Sequence, residues 1–550
     1  MNRTDENSTL ALLGDEAAAL GAIHSGISAA YGYPGTPSTE ILQYIIERSG
    51  DGLTAKWCSN EKTALEAALG ASFAGKRALV TMKHVGLNVA ADPFINAALL
   101  EINGALVVAV ADDPGMHSSQ GEQDSRFYAA FAMVPCLEPR SQQEAYEMCR
   151  EAFEVSEKFR VPVMLRLTTR LSHARAAVKT GAAGDANPLQ KIKDKTRWML
   201  LPAYARRNYA LLIEKQKDFA SWSGSHYANC LEIEGRDRDF AVITSGLGGN
   251  YYEENLEGLI SSNGGKAPRR LHIAAYPLPL DSIRRLCEEA KKVLVIEEGQ
   301  PFIEERLRGI LTQNIVIAGK LDNTLNRTGE LDPDSVRKGL GLAERPNVLT
   351  AGVSIPDLPG RPPQLCQGCP HADSYRAVNK AIAELDPSEN HSNTAVCSDI
   401  GCYSLGAAPP YSAIESIVCM GASIGMARGA AEAGIKYALA VIGDSTFIHS
   451  GITGLVDAVE ANAPITAVIL DNSSVAMTGC QETIISSEKL AGLILGLGVN
   501  PDHLLELETK PQFIEENAAR LKKEMEYRGL SVVIFKRECF EALRKRRKAV

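Results

Sequence analysis

Short apolar runs rich in β-branched residues recur along the chain, separated by polar stretches that carry glycine or proline. Between Ala11 and about Arg170 they are Ala78-Leu79-Val80-Thr81-Met82, Ala105-Leu106-Val107-Val108-Ala109-Val110 and Val161-Pro162-Val163-Met164-Leu165-Arg166. Runs of this length, spaced by about 25 to 50 residues, predict buried parallel strands joined by crossover helices. A strand at Ala55-Lys56-Trp57 and a helix over Thr63 to Ala74 belong to the same region.

The pattern lapses between about Leu171 and Arg238, where the lysine-rich stretch Gln190 to Lys217 reads as a linker carrying one or two helices. Strands resume at Phe240–Thr244, Leu271–Ala275 and Val293–Ile296, a smaller α/β unit ending near Arg345. The stretch Ile355-Pro356-Asp357-Leu358-Pro359-Gly360-Arg361-Pro362-Pro363 can continue neither a helix nor a central strand and marks a boundary. Alternation then returns at Thr394–Val396, Tyr437–Ile442, Ile465–Leu470 and Leu530–Phe535, with no short repeat and no low-complexity segment. The expected fold class is α/β, with regions 1–175, 236–350 and 351–550 as doubly wound domains and 176–235 as a helical linker.

A chain of 550 residues, 45% hydrophobic, can bury ordinary cores in several domains. Its formal net charge of -9 gives no long-range attraction for nucleic acid or an anionic membrane surface. The basic run Arg544 to Lys548 reads as a solvated helix end. Met1 to Leu10 lacks the charged-then-apolar order of a signal peptide, and no stretch stays apolar for the roughly 20 residues of a membrane span, so a cytoplasmic location is expected. Twelve cysteines are too sparse for a disulfide scaffold, which leaves thiols or metal ligands.

The most informative stretches are Ile442-Gly443-Asp444-Ser445-Thr446-Phe447 and Ile469-Leu470-Asp471-Asn472-Ser473-Ser474. Each is an apolar run ending in small and oxygen-bearing residues, at the carboxyl edge where open α/β sheets bind ligands. Asp444, the Asn472 amide oxygen and the Ser474 carbonyl could give Mg²⁺ its protein oxygens, with the Gly443 and Ser445 amides close to a phosphate. A strand ending in Gly-Asp is by itself more often a turn than a metal site. Its spacing to Asn472 resembles the diphosphate motif of thiamine-dependent enzymes, with Ser445 in place of glycine and Asp471 before Asn472 as departures.

Five further blocks, in order, widen that resemblance to nearly the whole chain: Gly32-Tyr33-Pro34-Gly35-Thr36-Pro37-Ser38, Met82-Lys83-His84-Val85-Gly86-Leu87-Asn88, Asp112 to Gln120, Leu365-Cys366-Gln367-Gly368-Cys369-Pro370-His371 and Ala476-Met477-Thr478-Gly479. The chain resembles the large subunit of indolepyruvate:ferredoxin oxidoreductases. The resemblance implies a pyrimidine-binding domain, a transketolase C-terminal-like domain and a diphosphate-binding domain, with thiamine diphosphate lying across two of them. It makes Glu61 the carboxylate that hydrogen-bonds the aminopyrimidine ring, where a helix-start carboxylate is the plain alternative. It makes Thr36 a substrate contact, places His84 and His117 in the matching loops to line the pocket, with His84 among the catalytic residues and structural loop histidines as the plain alternative, and counts Gly421 and Cys402 with the cofactor-binding residues. Pyruvate-specific relatives grip the carboxylate with an arginine where this chain has Asp112-Asp113-Pro114, so pyruvate is not the favoured substrate.

Cys366-Gln367-Gly368-Cys369 alone fits zinc, redox or iron–sulfur chemistry. Relatives with a cluster beside the thiamine add one cysteine after a glycine and one after the last strand. Cys402 and Cys539 match, which implies a [4Fe–4S] cluster on Cys366, Cys369, Cys402 and Cys539, with Cys397, Cys419 and Cys480 nearby in sequence. The family usually continues into a ferredoxin-like segment, whereas this chain stops at Val550, so another subunit is expected to take the electrons.

The expected function is oxidative decarboxylation of an aryl or branched 2-oxo acid to an acyl-CoA. The expected partners are a small subunit, in a dimer of heterodimers, and ferredoxin. A non-oxidative thiamine lyase is the alternative, and a non-catalytic scaffold is a third reading that Glu61, Asp444 and Asn472 oppose.

Overall fold

The structure is a computed structural model that describes residues 6–50, 52–192, 194–311, 315–345, 364–388 and 391–549. The chain divides into two compact units, Met1–Ile355 and Pro356–Val550. The expected Pro- and Gly-rich boundary at Ile355 to Pro363 lies outside the described residues.

The first unit is built on a seven-stranded sheet. Its six parallel strands are, in chain order, Ala29–Gly32, Thr54–Trp57, Ala78–Lys83, Leu106–Asp112, Cys136–Leu137 and Val163–Thr168, and they lie side by side in the order 2-1-3-4-6-5. Ala78–Lys83, Leu106–Asp112 and Val163–Thr168 are buried at every position, as central strands covered on both faces must be. The edge strand Thr54–Trp57 alternates between exposed and half-buried. The helix over Thr63 to Ala74 is present as Glu61–Phe73, capped by the Asn60 side chain, which accepts from the Thr63 amide at 2.9 Å.

A second sheet in the same unit has the order Val316–Ala318, Lys292–Ile296, Asp237–Ser245, Pro268–Ile273, Leu231–Glu232, parallel except for the last pair. The expected linker carries the helix Pro202–Gly224. From the second sheet's region the two-residue strand Ala275–Tyr276 crosses to pair antiparallel with Cys136–Leu137, as the seventh strand of the first sheet.

Beside that crossing, Arg126 and Arg166 are fully buried among Asp112, Asp124, Glu138 and Glu297. Arg166 Nε lies 2.7 Å from Asp112 Oδ2, and Arg126 Nη1 lies 3.0 Å from Glu297 Oε2. Buried ions need such mutual pairing to offset their lost hydration.

In the second unit the strands Thr394–Ser398, Ser416–Ile417, Tyr437–Gly443, Ile465–Asp471, Leu504–Glu508 and Ser531–Lys536 form an all-parallel sheet, again in the order 2-1-3-4-6-5. Period-2 alternation sends the strand residues to two separate cores. Leu439, Val441, Val468, Leu470, Val533 and Phe535 pack with the helices Pro370–Leu385 and Ile514–Glu526. Ala438, Ala440, Ile442, Ala467, Ile469 and Val532 pack with Ala422–Glu432, Ile452–Glu460 and Ser487–Gly496. The sheet is doubly wound, and its shared winding with the first sheet gives the two edges matching addresses.

Candidate active site

At the carboxyl edge of the second unit's sheet, Asp444 follows the Tyr437–Gly443 strand, and Asp471 and Asn472 end its neighbour Ile465–Asp471. All three are buried. Asp444 opens a helical turn that passes through one π-type turn, Phe447–Gly451, a local irregularity frequent at functional sites. Its Oδ2 accepts from the Ser473 amide and its Oδ1 from the Ser445 amide, both at 2.8 Å. The Ser445 amide is thereby directed at Asp444, so of the two amides expected near a phosphate this one already has an acceptor. Asp471 accepts from Ser473 at 3.1 Å and from the Ser487 hydroxyl.

Burial, and then the nearby Asp471 carboxyl, push Asp444 well above the usual carboxylate range. Two buried carboxyl groups this close favour a cation between them, which answers the charge that burial opposes. The residues therefore fit Mg²⁺. Sequence reasoning read Asp471 as a departure from the motif and missed it as a candidate ligand. The signal was its place at the end of an apolar strand.

Asn472 joins this edge to the cysteines. Its Oδ1 accepts from the Ser474 amide at 3.1 Å, and its Nδ2 lies 3.1 Å from His371 Nε2. Burial lowers His371 to about 4, so its ring is neutral and can accept from the amide. Ser474 is buried and opens a short ladder with Gln481–Glu482. The Asn472 carbonyl accepts from the Cys539 amide at 3.0 Å.

Cys366 and Cys369 sit in a turn closed by the Cys369 amide on the Cys366 carbonyl at 3.0 Å, with Gly368 at φ 78°. Arg537 holds that turn through the Gly368 carbonyl at 2.7 Å and Asp373 at 2.8 Å. Burial first, and then the neighbouring thiols of Cys369, Cys539, Cys366 and Cys480, raise the Cys402 thiol to about 12. Burial likewise raises Cys369 to about 11. The four expected cysteines thus come together, and Cys480 joins them. Cys397 is buried elsewhere, on the strand Thr394–Ser398. Four thiols that oppose one another's ionisation suit a cationic iron–sulfur core that would neutralise them.

Gly443 and Gly401 are needed by the Tyr403 ring, since a Cβ on either would lie 2.5 Å or 2.3 Å from Tyr403 Cε1. Gly421 has φ 85° and caps the helix Ala422–Glu432, and a Cβ there would lie 2.6 Å from Ser450 Cβ. The buried Asp399 accepts from the Ser423 amide at 3.3 Å in that first turn. Burial raises the Asp399 carboxyl to about 6.

In the first unit, at the carboxyl edge of its own sheet, Glu61 begins the helix after the second strand and is buried. Lys83 ends the third strand, and His84 opens the helix His84–Val89. His84 Nε2 lies 2.9 Å from the Gly121 carbonyl, and among the described residues its Nδ1 has no hydrogen-bond partner. Thr36 is half-buried in the turn after the first strand, where the Ser118 hydroxyl donates to its carbonyl at 3.1 Å. Lys83 Nζ donates to the Ser118 carbonyl at 3.0 Å, and its side chain lies against Gly35. Burial lowers Lys83 to about 8, against the opposing pull of Asp113 and Glu61. Sequence reasoning quoted Lys83 within a motif and assigned it no role. Two other residues of these loops are committed to protein contacts: His117 is exposed and pairs with Glu330 at 3.3 Å, and Asp112 is held by Arg166.

Residues 20–211 match the family described as pyruvate flavodoxin/ferredoxin oxidoreductase, thiamine diphosphate-binding, and residues 399–533 match the C-terminal TPP-binding domain of thiamine pyrophosphate enzymes. The chain is 38% identical to the indolepyruvate oxidoreductase subunit IorA of Methanothermobacter thermautotrophicus, over 97% of this chain and 87% of that one. It is 36% identical to the subunit of the same name in Archaeoglobus fulgidus, over 98% and 87%. A 2-oxoglutarate synthase subunit KorA from A. fulgidus is 25% identical over 52% of this chain and 86% of its own length. Among solved structures, a 2-oxoglutarate:ferredoxin oxidoreductase from Magnetococcus marinus aligns with a TM-score of 0.48 and 18% identity, over 57% of this chain and 62% of that one.

Proposed function

Because the chain belongs to the family of indolepyruvate oxidoreductase subunit IorA, we propose that it oxidatively decarboxylates an aryl 2-oxo acid of the indolepyruvate type, or a branched one. In the balanced reaction the 2-oxo acid, CoA and two oxidised ferredoxins give an acyl-CoA, CO₂, a proton and two reduced ferredoxins. The proposed assembly pairs this subunit with a small one in a dimer of heterodimers, in the cytoplasm. Regions 1–175, 236–350 and 351–550 are assigned to pyrimidine-binding, transketolase C-terminal-like and diphosphate-binding domains.

Thiamine diphosphate, when bound, supplies the carbanion chemistry that lets a 2-oxo acid lose CO₂. Asp444, Asn472 and Ser474, with Asp471 beside them, would hold its Mg²⁺ through oxygen, and Gly443 and Gly421 leave room for close approach. Glu61 would hold a proton against the pyrimidine nitrogen. Lys83 has used one of its three donors on Ser118, which leaves two for a substrate carboxylate. Thr36 and His84 flank that position along the sheet edge. Cys366, Cys369, Cys402 and Cys539 would hold a [4Fe–4S] cluster, which supplies one-electron chemistry.

The observation that carries this reading is Asn472, whose side chain belongs to the metal edge while its carbonyl holds the Cys539 amide. The test is anaerobic isolation with the small subunit, followed by thiamine, magnesium and iron analysis and an assay of ferredoxin reduction with indolepyruvate and CoA. Bound thiamine, four irons per chain and CoA-dependent ferredoxin reduction are expected. An iron-free complex that releases CO₂ and aldehyde without an acceptor would replace the oxidoreductase by the lyase.

A further inference from the structure

We propose that Asp15, Glu40 and His173 form a binding site for a divalent transition cation, best matched by Zn²⁺, that ties three helices together next to the Gly35–Thr39 turn. The site shares no residue with the diphosphate edge or the cysteine set, and it does not depend on the proposed reaction.

The three residues come from different elements: Asp15 from the helix Gly14–His24, Glu40 from Thr39–Ile46 and His173 from the end of Thr169–His173. One ligand atom from each lies within 4.8 Å of the others. His173 Nε2 and Glu40 Oε2 are 3.6 Å apart. Two donors bound tetrahedrally to one zinc at about 2.0–2.1 Å stand about 3.4 Å from each other, so the pair is nearly at ligand spacing. Gly14 permits the convergence, because a Cβ there would lie 2.3 Å from the Leu171 carbonyl oxygen.

A second observation points to a ligand. The Asp15 side chain is completely buried beside the Ser172 hydroxyl, and among the described residues neither Asp15 oxygen nor that hydroxyl makes a hydrogen bond of ordinary geometry. A buried carboxyl without well-made hydrogen bonds is costly unless something compensates it. Glu16, the other acid near Asp15, lies 3.4 Å from Arg175. Glu40 and His173 are partly exposed, with side chains 41% and 36% accessible, which leaves an entry path and room for water as the remaining ligand. One imidazole and two carboxylates suit zinc, and neither Ca²⁺ nor Mg²⁺ is served by an imidazole.

The test uses the full chain with its small subunit, stripped with a chelator and titrated with Zn²⁺ and, separately, Co²⁺. Wild type is expected to take one equivalent of Zn²⁺ more than His173→Gln, and Asp15→Asn should weaken that equivalent at least tenfold. Because His173 lies at the surface, His173→Gln should keep the wild-type fold by circular dichroism. The wild-type-minus-variant Co²⁺ spectrum should show d–d bands without the thiolate charge-transfer band that cobalt on cysteine would give. Equal stoichiometry in wild type and His173→Gln, or a difference spectrum of thiolate type, would overturn the proposal and leave Asp15 a buried neutral acid.

Discussion

Gly86 and Glu61 compete for one volume: a Cβ on Gly86 would lie 2.4 Å from Glu61 Oε1 and 2.7 Å from its Cγ. The bare backbone at Gly86 therefore sets where the Glu61 carboxylate can rest. Gly86→Ala should displace that carboxylate and lower kcat in the manner of Glu61→Gln, which is expected to lose about a hundredfold or more, the scale of lost proton-transfer assistance. Cofactor affinity should stay within about tenfold. Single-turnover decarboxylation, measured beside thiamine titration, separates the two effects.

Asp444→Ala removes an anionic ligand and leaves Asp471 alone at the edge. Mg²⁺-dependent binding of thiamine diphosphate should be abolished. A titration curve that matches wild type would remove Asp444 from the metal site.

Cys402 lies among four other thiols. Cys402→Ser should cost the iron while thiamine remains bound, because the two sites draw on different side chains. Iron and thiamine analysis of an anaerobic sample reads both. Iron retained at the wild-type level would move the fourth ligand to Cys480.

Lys83 has its ammonium held near pH 8 by burial. A lysine binds a carboxylate in its charged form, so KM for the 2-oxo acid should be flat below pH 8 and climb above it. Lys83→Met should raise KM at least tenfold at pH 7 and abolish that climb, with cofactor affinity unchanged. An unaltered KM profile would exclude Lys83 from substrate binding.

Glu298 is fully buried, and burial lifts its carboxyl from 4.5 to about 7 despite Lys320 and the Leu331 amide. Such an acid holds its proton longer in the folded state than in the unfolded one. Its contribution is therefore complete below pH 4.5 and is lost as pH rises to 7, by about 3 kcal/mol. Denaturant unfolding of Glu298→Gln across that range should show a flatter loss of stability than wild type.

The central strands were legible because each is an unbroken apolar run, and the ligand edge was legible because Asp444 and Asn472 end two of them. The strand Ala29–Gly32 escaped notice, since Ala-Ala-Tyr-Gly carries no β-branched residue, and Leu504–Glu508 escaped because its pattern is that of an edge. Lys83 and Asp15 could not be ranked from sequence, since their roles depend on burial, and burial is set by helices distant along the chain. Asp471 shows the opposite failure: it was visible, and its charge was read as a deviation. The matching 2-1-3-4-6-5 windings were beyond reach because strand order is fixed by crossovers that leave no local mark.

The two-residue strand Ala275–Tyr276 carries a consequence for how the first unit assembles. Its partner Cys136–Leu137 lies more than a hundred residues earlier, so the ladder closes late and raises the contact order of the whole unit. A fragment cut at residue 235 would leave Cys136–Leu137 as an open edge prone to intermolecular pairing. It would also leave Arg126 without Glu297, a guanidinium stranded in a half-built interior. The two sheets of this unit should therefore melt in one cooperative transition, and their separate expression should give aggregates.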